Sequence, residues 1–245
     1  MPRTMRTFFE PDFTESEDVI LLDEFESHHL CKVLRLQKGD SIEALDGKGN
    51  RYFTEILGVD RKCVELRILD KEFSAPLQPA FRLAVALPKG NRWEDLIRPL
   101  TELGVAQLTP LITDHSESKN ATKKQDVKLQ KWQKIAIDAC KQSGNPWLPH
   151  FDLPQTFSFF LSTIQKGERI LIGSLSQKSV PMKKLKIETP NRISVLIGPE
   201  GGWSNKEELL GEENGFISFS LGLNTLRLET AAICGLAVAR ESFIL

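Results

Sequence analysis

Apolar and polar positions follow two different grammars along this chain. Over residues 1–72 they alternate with a period of two or fall in short apolar runs, the spacing expected of strands whose side chains point to opposite faces in turn. "RTFF" and "DVILL" are β-prone. "DSIEALDGKGNRYFTEILGV" reads as two strands around a Gly-rich turn at 46–50. In "CVELRIL", Val64, Leu66 and Ile68 alternate with Glu65, Arg67 and Leu69. Only "SHHLCKVLRL" changes period, with Ser27 placed as an N-cap and Leu30, Val33 and Leu34 at helical spacing. This pattern predicts a small β-barrel carrying one short helix.

"KEFSAPLQPAF" holds two prolines and little periodicity. It marks a domain boundary, giving a first domain at 1–72 and a second at 73–245. From Phe81 onward, strand and helix patterns alternate. "FRLAVALP", "VAQLTPLI", "RILIGS", "ISVLIG" and "FISFSLG" read as strands, most of them continuous apolar runs that suit burial on both faces. Between them lie amphipathic helices. "NRWEDLIRPLTELGV" puts Trp93, Leu96, Ile97, Leu100 and Leu103 on one face, with Asn91 as N-cap, Gly104 as C-cap and an awkward Pro99 that should kink it. "DVKLQKWQKIAIDACKQSG" does the same with Trp132, Ile135, Ala136, Ala139 and Cys140, and closes on Gly144. "SNKEELLGEENG" opens with a capping box from Ser204 to Glu207, and "TLRLETAAICGLAVARESF" is an Ala-rich closing helix. The alternation predicts an α/β class with a parallel sheet.

Composition changes this picture little. The 245 residues are 40% hydrophobic and 27% charged, with a net charge of -1, ordinary for a globular chain with material for a core. The charge is uneven. Residues 1–72 hold 11 Lys and Arg against 16 Asp and Glu, and the remainder holds 21 against 17. A lysine cluster gathers at Lys119, Lys123, Lys124, Lys128, Lys131 and Lys134, which reads equally as a solvated helix face or as a nucleic-acid contact. The four cysteines form no C-x-x-C pair, so neither a metal site nor a disulfide framework is expected, and a reducing cytoplasm fits. The adjacent His28 and His29 lack a third ligand nearby in sequence. No signal peptide and no membrane-spanning run is expected.

Two stretches near the C-terminus hold the candidate chemistry. "IGPEGGWSNKEE" and "LGLNTLRLETAA" each pass from an apolar approach through a loop into a helix. Ligands of open α/β sheets sit at such places, beyond the carboxyl ends of strands. Gly198, Gly201 and Gly202 let backbone approach a ligand, Pro199 stiffens the turn, and Leu196, Leu221, Leu223 and Leu226 offer an apolar lining. A phosphate cradle fits poorly. Neither glycine-rich phosphate motif is present, and Glu200 within the loop would repel an anion. The plain alternative is a pair of tight turns that use glycine for geometry alone.

Together these stretches resemble the signature of the 16S ribosomal RNA uridine-N3 methyltransferases, the RsmE-type family of the SPOUT class. "MRTFF", "HHLCKVLRLQKGDSIEALDGKGN", "TELGVAQLTPL" and "KWQKIAIDACKQSGNPWLP" extend the resemblance over nearly the whole chain. It implies an S-adenosylmethionine cofactor, a PUA-like RNA-binding barrel and a C-terminal methyltransferase domain. That domain would carry a deep trefoil knot, with cofactor loops at 196–203 and 221–231. It implies a homodimer acting on 16S rRNA within the assembled small subunit, in the cytoplasm and without a metal. The chain departs from the pattern in four places: Leu228 replaces a threonine, Asn224 and Asn145 replace arginines, and Asp114-His115-Ser116 replaces Glu-Arg-Ser. The target nucleotide, the group that removes the N3 proton and the dimer geometry are not fixed by these residues.

Uridine N3 is a poor nucleophile until its proton leaves, so a cation aimed at O2 or O4 would help. Arg227 is the first candidate, with phosphate binding or a bond to Glu229 as its ordinary alternative. Glu200 is a candidate base, or a partner that orients Arg227 or faces the sulfonium. Cofactor contacts fall to Leu175, Leu196, Gly198, Pro199, Gly201, Leu221, Gly222 and Leu226, with Glu229 and Thr230 beside them or merely capping a helix. RNA contacts fall to Arg3, Arg6, His28, His29, Arg35, Lys89 and Arg92. Trp203 is the best-placed base-stacking ring. Two other functions stay open at this point: methylation of another RNA by the same fold, and a catalytically silent RNA-binding homologue.

Overall fold

The computed structural model describes residues 5–10, 14–16, 18–60, 62–88, 92–116, 125–176, 179–187 and 190–244. The chain divides into two compact units. The first comprises Met1–Pro76 with Ile137–Leu148, and the second Leu77–Ala136 with Pro149–Leu245.

The first unit is a six-stranded sheet. Its strands are β1 (Arg6–Phe8), β2 (Thr14–Ser16), β3 (Val19–Leu21), β4 (Ser41–Leu45), β5 (Asn50–Val59) and β6 (Val64–Phe73), in the order β1-β4-β5-β6-β3-β2. β1 and β4 run parallel and the other pairs antiparallel. The alternation read from "CVELRIL" sends Val64 and Leu66 inward. They join Phe9, Ile20, Leu30, Ile42 and Ile56 in one core around which the sheet curls.

The helical stretch differs from its sequence reading. α1 (Glu24–His28) is capped by Asp23, whose carboxylate accepts from the Glu26 N–H. Ser27 lies inside the helix, where its hydroxyl donates to the Leu22 carbonyl and accepts from the Val64 N–H. A buried strand amide outcompeted the capping role, because an unpaired amide in the core costs more than a cap contributes. A π-helical turn over His29–Leu34 follows and ends on Arg35 in the left-handed region, φ 55°.

The second unit is an eight-stranded parallel sheet. Its strands are β7 (Ala80–Ala86), β8 (Gln107–Ile112), β9 (His150–Phe151), β10 (Gln155–Thr156), β11 (Arg169–Gly173), β12 (Val180–Pro181), β13 (Arg192–Ile197) and β14 (Ile217–Ser220). Seven follow the order β10-β8-β7-β13-β11-β14-β12, and β9 pairs with β8. β7 and β13 are buried along nearly their whole length, as their unbroken apolar runs require. The helices are α2 (Arg92–Glu102), α3 (Gln125–Ser143), whose residues from Ile137 onward belong to the first unit, α4 (Phe157–Ser162), α5 (Asn205–Glu213) and α6 (Leu228–Phe243).

Asn91, the expected cap of α2, lies outside the described residues, as do Lys119, Lys123 and Lys124. α2 continues through Pro99 to Glu102. Gly104 turns the chain at φ 74°, and a Cβ there would lie 2.8 Å from a Leu77 methyl, so both conformation and space require glycine. Trp93 and Trp132 are core residues, their rings 5.6 Å apart. Among the lysines on α3, Lys131 pairs with Glu94 at 2.6 Å. Burial pushes the Cys140 thiol up to about 12, so it stays protonated and unreactive near neutral pH.

Toward the amino ends of these strands lies a buried polar network that periodicity cannot reveal. Arg82, 2% exposed, donates to Thr109 and to Asp152 at 2.8 Å each. Its desolvation, partly offset by Asp152, lowers its pKa from the usual value, and the paired carboxylate makes that burial tolerable.

Candidate functional site

The sheet order sets the site. β13, β11 and β14 are neighbours in parallel. Ile172 lies opposite Leu196, and Gly173 opposite Phe219, so their carboxyl ends are nearly level. The loops that leave them, 198–204, 221–227 and the one that begins at 174–176, therefore emerge side by side. Leu175 is 75% exposed and Leu223 is fully exposed. Two large apolar side chains thus stand out in water on loops that leave neighbouring strands. A Cβ built on Gly202 or Gly222 meets nothing within 4 Å, so bare backbone faces open space there.

This set of donors fits S-adenosylmethionine better than a phosphate ligand. Backbone N–H and C=O groups can read an adenine edge, leucines can flank its faces, and Glu200 within the loop disfavours an anion. Of the residues expected to touch the cofactor, Leu196 and Pro199 are buried, Gly198, Leu221, Leu226 and Glu229 are half-buried, and Leu175, Gly201, Gly222 and Thr230 are exposed. Leu196 belongs to the same core cluster as Trp203.

The carboxylates have a partner that sequence spacing did not indicate. Arg92, in the first turn of α2, places one Nη1 3.0 Å from Glu200 and 3.2 Å from Glu229. One guanidinium thus bridges the loop after β13 and the first turn of α6. Glu200 pairs with Arg92, whereas orienting Arg227 is only one of the roles its sequence position suggests. Arg227 is the N-cap of α6. Its carbonyl accepts from the Ala231 N–H at 2.8 Å, while its exposed side chain makes no capping bond. No ion pair involves Arg227 among the described residues, and both nearby acids already hold Arg92.

Trp203 is not an exposed stacking ring. It is 9% exposed, packs on Phe157 with centroids 5.4 Å apart, and donates its Nε1–H to the Gly173 carbonyl at 2.9 Å. An indole following two glycines can fold back under its own loop, and the apolar pocket below offers more than water does. The predicted capping box is present: Ser204 Oγ accepts from the Glu207 N–H at 3.2 Å, and Glu207 accepts from the Ser204 N–H at 2.9 Å. Ser204 also donates to Asp114 at 2.6 Å. Ser204→Ala should therefore cost about 1 kcal/mol of stability, read as a lower midpoint in thermal unfolding. An unchanged midpoint would refute this role.

The basic residues expected to meet RNA are placed unevenly. Arg3 and Lys89 lie outside the described residues. Arg6 is drawn inward: its Nε bonds Glu43 at 2.8 Å, and its Nη1 reaches the Lys141 carbonyl at 3.3 Å, at the carboxyl end of α3. His28 and Arg35 are exposed and His29 is half-buried.

Similarity to known proteins agrees with this geometry. An RNA methyltransferase domain model matches residues 76–240, and an RNA methyltransferase PUA domain model matches residues 22–69. The ribosomal RNA small subunit methyltransferase E of Synechocystis is 34% identical, with 90% of this chain and 72% of that protein covered. The Bacillus subtilis protein of the same name is 30% identical over 86% of each. The same-named Neisseria gonorrhoeae protein, solved bound to S-adenosyl methionine, superposes with a TM-score of 0.86 at 25% identity over 97% of each chain. A Legionella pneumophila chain solved with the cofactor SAM gives 0.86 at 30% identity over 98% of each. With its parallel sheet, its PUA domain and its three convergent loops, the chain belongs to the ribosomal RNA small subunit methyltransferase E family of RNA methyltransferases.

Proposed function

We propose that this protein transfers a methyl group from S-adenosylmethionine to N3 of a uridine in 16S rRNA, acting in the cytoplasm as a homodimer on the small ribosomal subunit. The observation that carries this reading is the convergence of three loops at the carboxyl ends of β13, β11 and β14, with exposed Leu175 and Leu223 and open space at Gly222. Residues 1–72 form the RNA-binding PUA-like barrel and residues 73–245 the methyltransferase domain, its last strands and α6 threaded as a trefoil knot. Supporting this division, the family models match within these two stretches.

S-adenosylmethionine, when bound, supplies a methyl already made electrophilic by its sulfonium. The chain's work is then alignment and charge. The backbone of Gly198, Pro199, Gly201, Leu221, Gly222 and Leu226 holds the cofactor, with Leu175 at its adenine side, Leu196 beneath, and Glu229 and Thr230 beside it. Arg227 stabilises the uridine anion through O2 or O4. Glu200 either takes the N3 proton or, through Arg92, holds the loop in place. RNA contacts come from Arg3, Arg6, His28, His29, Arg35, Lys89 and Arg92, where Arg6 and Arg92 must leave acidic partners to reach a phosphate.

The test is transfer of labelled methyl to naked 16S rRNA and to intact small subunits, both from cells lacking this gene, with modified nucleosides identified by mass spectrometry. N3-methyluridine formed in the subunit is the expected product. Cofactor binding without transfer to either would redirect the search to another RNA. Absence of cofactor binding would favour a silent RNA-binding protein.

A further inference from the structure

The loop after β8 bears on the cofactor loop, although it belongs to none of the three strands that carry the site. Residues 113–116 form a closed turn: the Thr113 N–H donates to Ser116 Oγ at 3.0 Å and the Ser116 N–H to the Thr113 carbonyl at 3.1 Å. Both of these residues are buried, so the turn is a firm base. Two residues project from it onto the stretch 198–207. Asp114 accepts from Ser204 Oγ at 2.6 Å, and its own N–H donates to Glu207 at 3.0 Å. His115 places Nδ1 3.0 Å from the Gly202 carbonyl. A carbonyl only accepts, so Nδ1 carries the hydrogen. A Cβ on Gly201 would lie 3.3 Å from the His115 Cβ, so that residue also backs the glycine pair.

The opposite side of the ribbon is held as well. The Trp203 indole ties it to the Gly173 carbonyl at 2.9 Å, and the Gly202 N–H closes on the Pro199 carbonyl at 2.9 Å. Gly202 itself sits at φ 73°. A glycine pair has wide conformational freedom, and ordering it when a ligand arrives would weaken binding. We infer that His115 is a positioning residue that holds the 199–202 ribbon in its cofactor-binding form before the cofactor arrives. This rests on the cofactor reading given above. Preorganisation of this kind acts on affinity and leaves the chemical step alone.

His115→Ala removes the donor and keeps the Cβ behind Gly201, while His115→Asn keeps a donor at a similar reach. Amide exchange over 200–204 is measured on the cofactor-free protein, and S-adenosylmethionine binding by calorimetry. The alanine variant should exchange faster there and bind roughly fivefold more weakly, the size of one net hydrogen bond. Its KM for the cofactor should rise in step with kcat unchanged, and asparagine should restore both readouts. Wild-type exchange and affinity in His115→Ala would overturn the inference, as would an asparagine variant no better than alanine. A wild-type protein that bound no S-adenosylmethionine would refute the cofactor reading itself, while exchange would still decide the tether.

Discussion

A Gly198→Val protein is expected to bind S-adenosylmethionine at least tenfold more weakly, roughly, and to unfold at a lower temperature. The sequence offers one reason for glycine here, close approach of backbone to a ligand. The structure supplies a second and stronger one. A Cβ on Gly198 would lie 2.9 Å from Cε2 and 3.1 Å from Nε1 of Trp203. That indole has nowhere to go. It is wedged against Phe157 and bonded to the Gly173 carbonyl. Valine must push the ring out or bend β13's end, and overpacking of this kind costs about 1–3 kcal/mol. Either movement separates the loop after β13 from the loop after β11, so the loss falls on the cofactor pocket as well as on stability. Calorimetry against the cofactor, with thermal unfolding alongside, reads both. Undiminished cofactor binding would place the pocket elsewhere.

Arg227→Ala should lower kcat by roughly a hundredfold to a thousandfold, the range seen when one preorganised donor to a developing anion is removed. Cofactor affinity should stay within about twofold, because the residue's role at the loop is through its carbonyl, which alanine retains. The thermal midpoint should hardly move, since the exposed side chain makes no capping bond. Arg227→Lys separates charge from shape. A lysine keeps the cation and loses the planar fork, so partial activity would point to charge and none to bidentate geometry. Single-turnover rates with saturating cofactor and RNA are the measurement. A fully active alanine variant would remove Arg227 from the mechanism.

Arg92 shows why such assignments cannot be completed from spacing. It stands 108 residues from Glu200 and 137 from Glu229, and no local pattern connects them. Their meeting depends on β7 lying beside β13, with α2 leaving the same end of the sheet as the loop after β13. Trp203 and Ser27 fail for a related reason. Each is locally suited to one role, stacking or capping, and each is claimed by a partner from a distant strand, Gly173 in one case and Val64 in the other. The short strands β9, β10 and β12 and the brief helix α4 also escape the pattern, because segments of two to six residues carry too few positions to show a period.

Periodicity alone was enough for the alternating strands of the first unit and for the parallel α/β character of the second, and the spacing of Ser204 and Glu207 gave the capping box. These are local consequences of which face a side chain must bury, and a period of two or of 3.6 is written in the order of residues. The glycine loops and their neighbouring leucines stand out in the order of residues too, since glycine where strand patterning ends marks a tight turn. Tertiary structure alone decided the strand order, and with it which loops share an edge. It also decided that Arg92 rather than Arg227 takes the two acids, that Trp203 lies under the loop, and that His115 holds it. Those contacts are set by the free energy of packing a whole sheet, to which each distant residue contributes, and no short window of sequence contains that sum.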